Sequence, residues 1–117
     1  EGLDRPYAMT GLYWYEKAAE QGMAEAQYQC GVIYEKENAM RQNKSRALYW
    51  YKKAAEQGYA FGQVKCGDLY LDSNVTPVPA YCVEEARKYY EKAAAQTEEP
   101  ELQEYAQNQL KRLPRYN

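Results

Sequence analysis

Residues 12–22 read LYWYEKAAEQG and residues 48–58 read LYWYKKAAEQG, so nearly the same stretch occurs twice, 36 residues apart. A looser third copy, YYEKAAAQ at residues 89–96, follows the second copy after 39 residues. Self-similarity with a period of this length is typical of stacked helical hairpins that bury a continuous core. The sequence therefore predicts an all-α fold, a right-handed superhelix (solenoid) of antiparallel helical hairpins.

The duplicated stretch carries its aromatic and small residues on one face of a helix. Trp14, Tyr15 and Ala18 are separated by helical intervals. Because Trp14 and its copy Trp50 stand beside alanines, we expect both rings to pack in the core. The glycines that end the stretch, Gly22 and Gly58, predict left-handed helix C-caps.

A second helix follows each copy and contains a repeated cysteine-glycine pair, Cys30-Gly31 and Cys66-Gly67. Glycine inside a helix costs about 0.5–1 kcal/mol relative to alanine. We therefore expect close approach of the paired helix at these glycines.

Six helices are predicted within a single domain spanning residues 1–117. The irregular residues 72–80, which include Pro77 and Pro79, are interpreted as a spacer in preference to a docking edge. The predicted helices cover residues 5–21, 23–37, 44–57, 59–72, 83–96 and 99–113, and the repeat units are 11–46, 47–85 and 86–117.

The composition excludes several functional classes. With 15 basic and 17 acidic residues the net charge is −2, which does not predict nucleic-acid binding. The sequence has no histidine, so histidine-based catalysis and the commonest metal ligand are absent. No apolar run approaches the length of a membrane span. We expect no catalytic residue, no metal and no cofactor.

The three cysteines are expected to be reduced. Cys30 and Cys66 are one period apart, and packed helices are separated by about 8–10 Å, which exceeds the reach of a disulfide. Unpaired thiols slightly favour a cytoplasmic location. Cys82 is predicted to be the accessible thiol, because it lies in a proline-containing linker.

The repeated residues carry a family pattern. Small-x-x-Trp-Tyr-x-Lys-Ala-Ala-x-x-Gly, at residues 11–22 and 47–58, followed by the cysteine-glycine helix, resembles the Sel1-like repeat, a relative of the tetratricopeptide repeat. The resemblance implies a protein–protein interaction scaffold or adaptor. The final predicted helix departs from the pattern, with Ala106 at the place expected for glycine, and is interpreted as a terminal cap.

Two other functions stay open. One is a small hydrolase or β-lactam-binding protein like the secreted cysteine-rich Sel1 relatives, whose regularly spaced disulfides this chain lacks. We expect no enzyme, because the hydroxyl and thiol side chains have no histidine base. The other is a structural spacer in a longer array, with self-association through exposed repeat ends.

A binding surface for a protein or peptide is predicted on the concave face, which the first helix of each hairpin lines. An apolar strip with acidic neighbours is expected around the two cysteine-glycine pairs, and it would hold an extended peptide or a partner helix. Its acidic members, Glu25 and Asp68, would steer a basic residue. Packing against the next hairpin is the alternative for each position. The predicted residues are Glu25, Tyr28, Val32, Phe61, Val64, Asp68 and Leu71.

Overall fold

Six helices follow one another along the chain. The computed structural model describes residues 7–37, 41–72, 78–96 and 98–114, and these ranges contain no strand. The helices are α1 (Tyr7–Glu20), α2 (Ala24–Glu37), α3 (Arg41–Glu56), α4 (Ala60–Leu71), α5 (Ala80–Ala94) and α6 (Pro100–Arg112).

The predicted helices are all present, and two of them begin earlier than predicted. α3 begins at Arg41 and α5 at Ala80, against the predicted starts at residues 44 and 83. Cys82 consequently lies in the first turn of α5, where it is half-buried, and not in a linker as predicted. Residues 73–77 of the predicted spacer lie outside the described residues.

Left-handed glycines end two of the helices. Gly22 has φ +99° and Gly58 has φ +88°, as the sequence predicts. The next amide continues the cap, since Tyr59 N–H donates to the Ala54 carbonyl at 3.2 Å. The chain therefore reverses within three residues after α1 and after α3.

The helices stack in chain order into an elongated array of 55 × 33 × 20 Å. Each helix packs against the next, most extensively α2 on α3 and α4 on α5, and α6 also contacts α4. This arrangement, in which neighbours supply the contacts, is that of a helical repeat solenoid.

Two kinds of helix alternate. The aromatic helices α1, α3 and α5 each carry an aromatic pair, whereas the small-residue helices α2, α4 and α6 each carry a small residue at the first matching position. The aromatic pairs are Trp14-Tyr15, Trp50-Tyr51 and Tyr89-Tyr90, and the matching pairs are Cys30-Gly31, Cys66-Gly67 and Ala106-Gln107.

The helix-interior glycines make room for tyrosine rings. A β-carbon at Gly31 would lie 2.5 Å from the Tyr51 ring, and one at Gly67 would lie 2.6 Å from the Tyr90 ring. Such distances are far inside van der Waals contact, so any side chain there would displace the ring. The expected reason, close approach of a helix backbone, applies instead at Gly62, whose β-carbon would lie 3.0 Å from the Ala55 nitrogen.

The two tryptophans differ in burial, and the prediction that both pack in the core is wrong for Trp14. Trp50 is half-buried and packs on a cluster formed by α1 and α2, which includes Ala26 and Cys30. Trp14 is 65% exposed, and its ring meets the Tyr13 ring edge-on at 5.0 Å. The equivalent positions of the repeat are therefore not equivalently covered.

A repeated glutamine fixes the register of the small-residue helices. The side-chain amides of Gln27, Gln63 and Gln103 donate to the carbonyls of Ala19, Ala55 and Ala94 at 3.2, 3.3 and 2.9 Å. This register corrects the sequence alignment of α6 by one residue. Ala106 takes the cysteine position, where it is fully buried, and the exposed Gln107 takes the glycine position.

Candidate functional site

An aromatic cluster joins α2 and α4 at the centre of the predicted surface. The Tyr28 ring lies 5.6 Å from the Tyr59 ring and 5.7 Å from the Phe61 ring, and Tyr59 and Phe61 are 5.8 Å apart. All three side chains are half-buried, so each ring keeps part of its surface exposed. We call these three residues the aromatic cluster, and the surface around it the α2/α4 face.

Charged groups border this cluster on both helices. Lys65 Nζ on α4 lies 3.0 Å from Glu35 Oε1 on α2, and the same carboxylate oxygen accepts a hydrogen bond from the Tyr51 hydroxyl at 2.7 Å. The lysine is thus held beside the core tyrosine, 5.7 Å from its ring centre. Glu25, in the first turn of α2, is exposed.

Asp68 is engaged within the chain. Its Oδ1 accepts hydrogen bonds from the Tyr90 hydroxyl at 2.5 Å and from the Tyr105 hydroxyl at 2.9 Å, which ties α4 to α5 and α6. Burial and the hydrogen bond to Asp68 raise the pKa of Tyr105 to about 12. The carboxylate that was predicted to steer a basic ligand residue therefore already accepts hydrogen bonds from two hydroxyl groups of the chain itself.

Three apolar residues of the predicted strip pack in or against the core. Val64 is 6% exposed and belongs to a core cluster with Ala86, Tyr90 and Ala106, and half-buried Leu71 packs against the same cluster. The expectation that the core does not need these positions is wrong for Val64, because α5 and α6 cover that side of α4. Val32 is half-buried against the core cluster around Tyr51.

The structure thus brings together part of the predicted set. Tyr28 and Phe61 share the aromatic cluster, and Glu25 lies exposed on the helix that carries Tyr28. Three residues of this region were not predicted. Tyr59 belongs to the aromatic cluster, Lys65 pairs with Glu35, and the Tyr105 hydroxyl donates to Asp68. Tyr59 could have been predicted from the sequence, because it directly follows the Gly58 cap and precedes α4. Tyr105 could not, because its contact with Asp68 depends on how α6 packs against α4.

Two of the three thiols are shielded by burial. Burial raises the pKa of the Cys30 thiol to about 12 and that of the Cys66 thiol to about 12, so neither forms a thiolate near neutral pH. Within the described ranges, no group of three or more cysteine, aspartate or glutamate side chains could hold a metal ion. A membrane-spanning helix is likewise absent from the part of the chain that the structure describes.

Known structures share this architecture. A Sel1 repeat protein from Oxalobacter formigenes is 35% identical, with a TM-score of 0.66 over 85% of this chain and 37% of its own. A protective antigen present in uropathogenic Escherichia coli strains, described as displaying an SLR fold, is 32% identical, with a TM-score of 0.68 over 89% of this chain and 22% of its own. The chain thus spans well under half the length of either protein. A search among curated proteins gives no match.

The sequence model of the Sel1 repeat matches residues 8–23, 24–59 and 60–97. The two complete matches each begin at a small-residue helix and end after an aromatic helix, so they start 13 residues after the predicted units at residues 11 and 47. The first match covers α1 alone. Together the matches extend over most of the sequence, and the helices, glycine caps and glutamine contacts recur at the same period. The chain belongs to the Sel1 repeat family.

Proposed function

We propose that the chain is a protein-interaction module that binds an extended peptide or a partner helix on the α2/α4 face. Sel1 repeat proteins are generally protein-interaction modules built from helical repeats. The observation that carries the proposal is the aromatic cluster, since half-buried rings with exposed edges are the anchors that protein interfaces prefer.

The chemistry of this face favours a ligand with one apolar and one basic side chain. Tyr28 and Phe61 offer apolar surface to a ligand. Fixing these side chains on binding costs little conformational entropy, because the two rings already contact each other. Glu25 is an exposed carboxylate that, within the described ranges, makes none of the hydrogen bonds or ion pairs that occupy Glu35 and Asp68. A lysine or arginine of the ligand would therefore pair with Glu25.

Selection of peptides from a random displayed library on the immobilised chain tests this proposal. The recovered peptides should share an apolar residue near a basic one and should lose at least about tenfold in affinity for the Glu25→Lys and Phe61→Ser variants. Tyr49→Ser is the matched control, because Tyr49 is 55% exposed on α3 and has no place in the aromatic cluster.

Thermal denaturation must show that each variant remains folded at the temperature of the binding measurement. If peptides bind the Glu25→Lys, Phe61→Ser and wild-type chains equally, the α2/α4 face is not the binding surface. Failure of the library to yield any enriched peptide would equally contradict the proposal.

A further inference from the structure

The aromatic cluster lies between repeat units and not at an end of the array. Tyr28 belongs to α2, Tyr59 directly precedes α4, and Phe61 lies in the first turn of α4. The next small-residue helix, α6, contacts α4 as well. Because a further unit adds to an end of such a stack, the exposed part of the cluster is a surface that further stacking does not cover.

Three residues occupy the same place on successive units. Met23, Tyr59 and Glu99 each stand immediately before a small-residue helix, and the carbonyl of each accepts the N–H of the glutamine four residues later, at 2.9, 3.0 and 2.9 Å. Glu99 is exposed, and so is Glu25 in the first turn of α2. A carboxylate is therefore present on the unit before Tyr59 and on the unit after it.

These two carboxylates make the surroundings of Tyr59 negative. Burial raises the pKa of the Tyr59 hydroxyl, and the charge of Glu25, the Tyr28 hydroxyl and the charge of Glu99 raise it further. A negative charge has this effect because it opposes the formation of a phenolate beside it. A cation at the same place would be attracted by both carboxylates.

The aromatic cluster carries no cation of the chain itself, within the ranges that the structure describes. Lys65, the basic residue of α4, is paired with Glu35 and lies beside the Tyr51 ring. The cluster thus offers aromatic faces and negative charge to a cation from outside the chain. Other tyrosine rings already have a lysine or arginine 5.1–5.7 Å from the ring centre, namely Tyr13, Tyr34, Tyr49, Tyr51, Tyr70 and Tyr89.

Arginine suits this arrangement better than lysine. A guanidinium group is planar and weakly hydrated, so it can stack on an aromatic ring while its N–H groups point outward from its edge. Those N–H groups can donate to carboxylates on both sides of the ring. The ammonium group of lysine is a compact, strongly hydrated point charge, which does not cover a ring and reach two carboxylates at once.

We propose that the aromatic cluster binds an arginine side chain of the ligand, which stacks on the Tyr59 ring and pairs with Glu25 and Glu99. This inference rests on the proposed function, because it names the basic residue of a ligand held on the α2/α4 face. It adds Tyr59 and Glu99 to the residues that select the partner.

Peptides selected on the wild-type chain provide the probe, and their basic residue should be arginine. Each peptide is synthesised with arginine, lysine or citrulline at that position, since citrulline has nearly the shape of arginine without its charge. Isothermal titration calorimetry compares the three forms. The arginine form should bind at least about fivefold more tightly than the lysine form and at least about tenfold more tightly than the citrulline form.

Variants of the chain locate the arginine. Tyr59→Met removes the ring with a side chain that the repeat accepts, since Met23 holds the equivalent place, and the ratio of the arginine to the lysine affinity should fall to about one. Glu99→Gln should weaken binding of the arginine form at least about threefold. Glu91→Gln removes an exposed carboxylate of α5 and should leave every affinity unchanged. Thermal denaturation checks that each variant is folded.

Three results would overturn this inference and leave the α2/α4 face as the binding surface. These are equal binding of the arginine and lysine forms, a preference for arginine that survives Tyr59→Met, and an effect of Glu99→Gln no larger than that of Glu91→Gln. Failure to select any peptide would contradict the proposed function itself, and the inference with it.

Discussion

At the scale of single residues, the glycine-tyrosine contacts hold successive helices together. Gly31 and Gly67 are the positions where an added β-carbon would meet an aromatic ring, and both lie in buried helix segments. Helix propensity favours alanine at these two positions, whereas packing against the tyrosine rings requires glycine. The packing requirement outweighs the propensity.

Alanine substitution measures this directly. Gly31→Ala and Gly67→Ala should each lower the free energy of unfolding by about 1–3 kcal/mol, because the ring of Tyr51 or Tyr90 must move. Gly11→Ala in α1 is the matched control, since its β-carbon would meet nothing within 4 Å, and it should be neutral or stabilising. Urea denaturation compares the three variants. Equal effects at Gly11 and Gly31 would contradict the account.

Buried tyrosines predict a loss of stability at high pH. Burial and hydrogen bonds to Glu35 and Asp68 raise the pKa of Tyr51 and Tyr90 above the ordinary value of 10.0. Above about pH 10 the unfolded chain releases these protons while the folded chain keeps them, so stability is full below this pH and falls as pH rises.

Each such residue contributes a slope of about 1.4 kcal/mol per pH unit above that point. The Cys30 and Cys66 thiols, with raised pKa values and an ordinary value of 9.0, add to the loss from about pH 9. Urea denaturation at a series of pH values should show a shallower alkaline slope for Tyr90→Phe than for the wild type. Identical slopes would mean that Tyr90 is not shielded.

At the scale of helices, glutamines join one hairpin turn to the next. The Gln57 amide donates to the Gly22 carbonyl at 2.7 Å and to Gln27 Oε1 at 3.0 Å. One period later, the Gln96 amide donates to the Gly58 carbonyl at 2.8 Å and to Gln63 Oε1 at 2.7 Å. These contacts link the capped end of one aromatic helix to the next aromatic helix.

Removal of one link should destabilise the array. Gln96→Ala leaves the buried Gln63 oxygen without its donor and should cost about 1–2 kcal/mol in the free energy of unfolding. Gln21 occupies the equivalent position after α1 and is exposed, and its side-chain amide donates to no group among the described residues, whereas its backbone N–H donates to the Ala18 carbonyl. Gln21→Ala should therefore change stability by less than about 0.5 kcal/mol, and a comparable loss in both variants would contradict the role of the link.

Local sequence signals predicted the helices and their ends well, because period, glycine caps and proline act within a few residues. Gly22 and Gly58 stand where they were expected. Contacts between helices were harder to predict. That Tyr51 fills the space at Gly31 depends on how α3 packs against α2, and Val64 is buried because α6 returns to α4. Only the packed arrangement distinguishes exposed Trp14 from half-buried Trp50.

At the scale of the whole molecule, the buried thiols report on opening of the array. Cys30 and Cys66 are 0% exposed, whereas Cys82 is half-buried in the first turn of α5. A maleimide should label Cys82 readily in the native chain and the other two thiols only when the structure opens. Mass spectrometry counts the labels, and Cys82→Ser should abolish the fast reaction. Labelling of Cys30 at the rate of Cys82 would show that the α1–α2 end is not stably packed.

The proposed function divides the work between the two kinds of helix. Among the described residues, α3 and α5 bury Tyr51, Tyr89 and Tyr90 in the joints between helices, while the aromatic cluster is half-buried and Glu25 is exposed on the α2/α4 face. The repeated geometry of the joints fixes the spacing of these groups. We therefore expect partner choice to depend on the varied positions of α2 and α4.

A charge-exchange measurement on the proposed face tests this most directly. A peptide selected on the wild-type chain should lose at least about tenfold in affinity for Glu25→Lys and regain it when its own basic residue is replaced by glutamate. Isothermal titration calorimetry supplies the four affinities of this cycle. If reversal of Glu25 leaves the affinity unchanged, or if the exchanged peptide does not recover it, the α2/α4 face is not where the partner binds.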